Sequence, residues 1–175
     1  MWFKNIYCYR FTKPFDVSAE ALAEKLEAMP FNPCGNQQEF STGWVPPLGA
    51  KYSEYVHAAG GYIMVCLKRQ DRVLPAAVVN EMVAERVEQI ELAEMRKVGR
   101  KEKEQIKDET TFTLMPRAFV RSNLLYAYID VASGTIVVNA ASASRAEALL
   151  DALREALGSL PVIPLRPKGQ PQQLM

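Results

Sequence analysis

Residues 75–115 read "PAAVVNEMVAERVEQIELAEMRKVGRKEKEQIKDETTFTLM", and how this stretch folds decides the rest. Pro75 suits the first position of a helix, where its missing N–H costs nothing. Val79, Met82, Arg86, Ile90 and Ala93 recur at helical spacing, with Val78, Val83 and Val87 on the adjoining side. A helix running to Lys97 would be about 35 Å long. Gly99 is then the expected breaker, and a second helix follows through Met115. The outcome is a protruding helical hairpin over about 75–115, with its basic residues gathered near the tip.

Strand patterns stand on both sides. Upstream, "EYVHAAGGYIMVCLKRQDRVLP" (54–75) predicts a hairpin turning at "AAGG", whose nearly continuous apolar second strand reads as central. Downstream, "AFVRSNLLYAYIDVASGTIVVNAA" (118–141) predicts two strands around "ASG". "MWFKNIYCYRF" (1–11) reads as a strand. "DVSAEALAEKLEAM" (16–29) reads as a helix capped by Ser18, with Leu22, Leu26 and Met29 inward and Pro30 as its stop. Residues 30–53 carry four prolines and three glycines and are expected to be mostly turns and short extended pieces, with Trp44 as an apolar anchor. "SASRAEALLDALREALGSLP" (142–161) is an amphipathic helix capped at Ser142 or Ser144, with Ala146, Leu149, Leu150, Leu153 and Leu157 inward and Gly158 ending it. The proline-spaced end, "VIPLRPKGQPQQLM", shows no periodicity and is expected to be an extended linker, with 166–175 set apart as a tail. The predicted order is β-α-β-β-α-α-β-β-α, an α+β fold of antiparallel hairpins.

Composition narrows the chemistry. Length allows one domain or two small subdomains, apolar content of 49% and charged content of 23% suit an ordinary globular protein, and a net charge of +1 excludes a global field that would draw polyanions. Any anion site must come from local clustering. Three cysteines without C-x-x-C spacing and without a leader pattern point to a reducing cytoplasm, with Cys8 and Cys66 as inert buried thiols. No apolar run approaches the length of a membrane span. His57, the single histidine, has no ligand partners at metal spacing. Adjacent Asp108 and Glu109 diverge by about 100° on a helix and cannot close on one ion. No phosphate loop or nucleophile elbow occurs. Neither an enzyme, a metal nor a cofactor is expected.

The basic residues remain. Between 96 and 107, six cations (Arg96, Lys97, Arg100, Lys101, Lys103, Lys107) face two acids, Glu102 and Glu104. Lys68, Arg69 and Arg72 end one strand, while Arg117 and Arg121 flank Phe119 at the start of another. A solvated helix pair is the plain reading; a stripe that neutralises phosphates and releases counterions is the functional one. Phe119 suits either a strand core or an interface.

"MWFKNIYCYR", "FNPCGNQQEFSTGWVPP", "VLPAAVVNEMVAERV", "KDETTFTLMPRAF" and "LGSLPVIPL" together resemble the N-terminal half of the bacterial RdgC family, over residues 1–165. The resemblance implies a cytoplasmic, nucleoid-associated homodimer that binds double-stranded DNA without sequence preference, with single-stranded DNA as an open second ligand. It implies a ring around DNA that keeps RecA from the strands. By position, Arg96, Arg100, Lys101 and Lys103 fall in the family's basic hairpin, and Phe119 in the segment implicated in closing the ring. Members of the family are longer, so the chain is read either as the N-terminal piece of such a protein or as a naturally short relative without the half that supplies further DNA-facing surface and a second dimer contact; a closed ring is not expected of these residues alone. The rival expectation is an interaction module that dimerises and regulates a partner without gripping DNA strongly.

Overall fold

The structure, a computed structural model, describes residues 3–165. Trp2 and the expected tail at 166–175 lie outside the described residues. The order is β1 (Ile6–Phe11), α1 (Ala19–Glu27), β2 (Phe40–Val45), β3 (Val56–Ala59), β4 (Tyr62–Val73), α2 (Ala76–Glu94), α3 (Arg100–Leu114), a 3-10 turn (Met115–Arg117), β5 (Phe119–Asp130), β6 (Thr135–Asn139), α4 (Ala143–Leu157) and β7 (Val162–Pro164). The α+β class and the predicted elements hold. Two strands lie beyond the predicted order, β2 and β7, where only short extended pieces and an extended linker were expected.

The chain divides into two compact units. The sheet unit is built from the described parts of Met1–Phe31, Thr42–Arg69 and Asn123–Met175. Its strands run in the order β2-β4-β5-β6-β1-β7, with β3 pairing β4 beside that path. The pairs β1/β6, β1/β7, β3/β4 and β5/β6 are antiparallel. Alternation sorts the residues by face. Tyr9, Phe11, Ile63, Val65, Leu67, Leu125, Ala127, Ile129, Ile136 and Val138 join Leu22 and Leu26 of α1 and Leu149, Leu150 and Leu153 of α4 in one core. Gly60 and Gly61 both adopt positive φ (59° and 85°), which gives the β3–β4 turn the twist that suits a two-residue hairpin.

The two extra strands have physical reasons. In β2, the turn-forming neighbours mask a short β-prone run, "FSTGWV". Trp44 N–H donates to the Met29 carbonyl (3.0 Å) and Phe31 N–H to the Trp44 carbonyl (2.9 Å), which fixes the indole in the core at 1% exposure. Strand β7 is short and at the sheet edge, where its Pro164 is tolerated because no inner ladder needs the missing N–H.

The hairpin unit comprises Asn32–Ser41 and Gln70–Ser122. Val79 and Val83 of α2 and Ile106 of α3 are its buried residues, with Leu74, Val87, Ile90, Val98 and Leu114 packed around them. The seam therefore follows 79, 83, 87 and 90. Met82 and Arg86 of the expected stripe instead stay exposed at the margin of that seam, beside Ile106, Glu109 and Thr113 of α3, because α3 offers only a narrow apolar row to match. The helix stop is also earlier than expected. Met95 takes the left-handed conformation (φ 49°) as C-cap of α2, and Gly99 is instead the extended N-cap of α3.

Burial holds Cys66 neutral, pushing its thiol up to about 12. Cys8 is only half-buried, and Cys34 Sγ donates to the Gln38 carbonyl at 2.9 Å.

Candidate nucleic-acid interface

The connection between α2 and α3 decides which cations are available. Arg96 is committed: Nη1 and Nη2 donate to the two oxygens of Glu102, each at 2.7 Å, and Nε donates to Glu94 at 2.5 Å. Lys97 Nζ pairs with Glu91 at 2.9 Å, and the other Glu91 oxygen accepts Val98 N–H at 3.0 Å. These contacts offset the strain of a left-handed methionine, which costs roughly 1–2 kcal/mol. The Arg96 bond holds the Glu102 carboxyl below its usual range, and the Lys97 bond, seconded by Val98 N–H, does the same for Glu91. Two of these three carboxylates, Glu91 and Glu94, thus come from the end of α2, outside the stretch 96–107 where acids appeared scarce.

Four cations of α3 remain outward. Arg100 has only a loose 3.6 Å pair with Glu104, both well exposed, which contributes little. Lys101, Lys103 and Lys107 are exposed, and among the described residues their ammonium groups have no hydrogen-bond or ion-pair partner. Arg100, Lys103 and Lys107 stand three and four residues apart, on one helical face.

The other expected cations divide differently. Arg72 is a clamp: its guanidinium donates to the carbonyls of Gly35 (3.1 Å), Met115 (3.1 Å), Ala118 (3.3 Å), Cys34 (3.4 Å) and Pro116 (3.4 Å). Beside it, Gln70 accepts Cys34 N–H at 2.9 Å and donates to Ser122 Oγ at 3.2 Å. Lys68 lies in the sheet unit with Nζ 4.3 Å from the centre of the Phe31 ring. Arg69 is engaged within the chain. Arg117 and Arg121 are exposed in the hairpin unit, without a side-chain partner among the described residues. Between them Phe119 is 84% exposed, so it is not a core residue of this chain.

His57 is half-buried in β3, and among the described residues no group of three or more His, Cys, Asp or Glu is placed to hold a metal ion. Sequence reasoning missed an aromatic cluster on the sheet: Tyr128 meets Phe3 edge-on at 5.5 Å and Tyr62 at 5.8 Å. Only the parity of Tyr62 and Tyr128 in their strands could have hinted at it.

An α+β protein with an open sheet and a helical hairpin carrying uncommitted cations is the class these features define. The model of one family, described as "Putative exonuclease, RdgC", matches residues 1–175. Proteins called "Recombination-associated protein RdgC" are similar over the whole chain: 46% identical in Aeromonas hydrophila, 42% in Tolumonas auensis and 44% in Pseudomonas putida. The chain belongs to the RdgC family. In each of these relatives it covers 58% of the length.

Proposed function

We propose that this chain is a recombination-associated, sequence-independent DNA-binding protein, working in the cytoplasm on the nucleoid as a homodimer. It limits recombination by occupying DNA that RecA would otherwise coat. The observation that carries this reading is the exposed row Arg100, Lys103 and Lys107, with Lys101 beside it, at most loosely engaged while Arg96 and Lys97 are tied to carboxylates. Such a row suits a phosphate backbone and carries no base-reading geometry. Arg117 and Arg121 are further candidates for the same backbone. Arg72, consumed by five carbonyls, serves the fold of the hairpin unit. Phe119 is proposed as the contact with a second copy.

The test is a salt titration of duplex binding. Removing one phosphate-neutralising cation lowers the log–log slope by about 0.9, so replacing Arg100, Lys103 and Lys107 with Ala should lower it by up to roughly 2.7, equally on unrelated sequences. An unchanged slope would leave the rival reading, an interaction module that regulates a partner. The occlusion reading also expects end-labelled duplex to stay intact with magnesium or manganese. Shortening of that DNA, abolished by a chelator, would favour the exonuclease of the family description.

A further inference from the structure

The second face of the sheet carries a site that the hairpin reading does not use. Helices α1 and α4 pack on the face of Tyr9, Ile63 and Leu125. On the other face, Ala59 pairs with Tyr62 and His57 with Met64 across the β3–β4 hairpin. Next to them Tyr128 takes the edge of Tyr62 on one contact and of Phe3 on another. Phe3, His57, Tyr62, Met64, Tyr128 and Ala59 line one open groove of about 430 Å³. That size lies within the range of small-ligand sites.

We propose that this groove stacks the unpaired bases of single-stranded DNA, with Tyr62 and Tyr128 as the principal rings. The polar tips carry the choice of occupant. Among the described residues, the Tyr62 and Tyr128 hydroxyls and the His57 imidazole make no hydrogen bond. A protein surface sealing the groove would have to match all three or leave them dry and unsatisfied, at a cost. A nucleobase offers a π-face to the rings and its own donors and acceptors to the tips. Charge agrees. Arg10 pairs with Thr135, which pairs with Asp130, so its side chain shares the face of Tyr128 two residues along. It is exposed, has no side-chain partner among the described residues, and stands two strands away, roughly 10 Å at strand spacing. Arg10 is the cation this face offers to a flanking phosphate, and Asp130, two residues from Tyr128, directs the strand to the side of the groove away from its carboxylate.

The inference rests on the DNA-binding reading only in that the chain meets nucleic acid, and its test separates the two. The probes are an oligothymidylate and an abasic strand with the same number of phosphates. Wild type should prefer the oligothymidylate. Tyr62→Ala, at a site already 49% exposed, should reduce that preference by roughly five- to a hundredfold while leaving duplex binding and the salt slope unchanged. Tyr62→Phe should retain most of it, and melting curves confirm that both variants fold. Equal affinity of wild type for the two strands overturns the proposal, as does a Tyr62→Ala variant that keeps the preference. Tyr62→Ala that dissociates a dimer while leaving strand preference intact would assign the groove to a second copy and also overturn it. The alanine changes at Arg100, Lys103 and Lys107 should lower the salt slope on both strands and leave the preference, so either reading can fail without the other.

Discussion

At the residue scale, one backbone crossing has no room for a side chain. An added Cβ at Gly43 would lie 2.3 Å from Phe31 Cα and 2.6 Å from the Pro30 carbonyl oxygen, both main-chain atoms that cannot turn aside. The neighbouring Trp44 bonds depend on that approach. Gly43→Ala should therefore destabilise the sheet unit at the upper end of the overpacking range, about 3 kcal/mol, read by urea denaturation followed through Trp44 fluorescence in a Trp2→Phe background. A variant as stable as wild type would show that the crossing is looser than described. Phe119 presents the opposite case. Truncating a buried Phe costs about 3–5 kcal/mol, but a ring 84% exposed should cost within about 0.5 kcal/mol. Phe119→Ala is expected to melt like wild type and to shift sedimentation toward monomer. Unaltered association would remove it from the proposed interface.

At the element scale, the hairpin connection couples folding to charge. Glu91 and Glu102 have lowered pKa values in the fold, so their contribution is present above the unfolded value of 4.5 and is lost as pH falls through the lower folded value. Acid below that point should loosen residues 95–99, seen as shifted amide resonances there. Neutral pH offers a functional version. Glu94→Gln with Glu102→Gln should release the Arg96 guanidinium, tighten duplex binding and raise the salt slope by about 0.9. Binding that is unchanged or weaker would mean that Arg96 is out of phosphate reach and only braces the turn. The helices themselves were legible because helical periodicity is local: Ser18, Ser142 and Gly158 cap where their chemistry predicts. The partnership of Arg96 with Glu102 was not, since a separation of six residues fits no helical spacing and needs the turn at Met95 to close it. Strands β2 and β7 escaped for a related reason, as each is made by distant pairings that outweigh its proline-rich surroundings. The cation row could be read only as composition, and which cations are spent on carboxylates or, like Arg72, on carbonyls depends on tertiary geometry.

At the scale of the whole molecule, the two units differ in how much they bury. The sheet unit has a broad apolar cluster that includes Trp44, Leu149, Leu150 and Leu153, whereas the buried part of the hairpin unit is Val79, Val83 and Ile106. Stability follows buried apolar area, so the hairpin unit should open at the lower free energy, as expected of an element proposed to meet a ligand. Two probes separate the events. Trp44 reports the sheet unit once Trp2, the other tryptophan of the chain, is replaced by Phe. Far-ultraviolet circular dichroism is weighted by the long helices α2 and α3. On heating, the helical signal is expected to begin falling before Trp44 fluorescence shifts. Ile106→Ala, which removes a buried side chain from the smaller core, should cost about 2–5 kcal/mol in the first transition and leave the Trp44 transition in place. Duplex DNA should raise the first transition by mass action and the second little, because the proposed phosphate contacts lie on α3. Coincident transitions by both probes, lowered together by Ile106→Ala, would show that the chain folds as one cooperative body and that the hairpin is no more labile than the sheet.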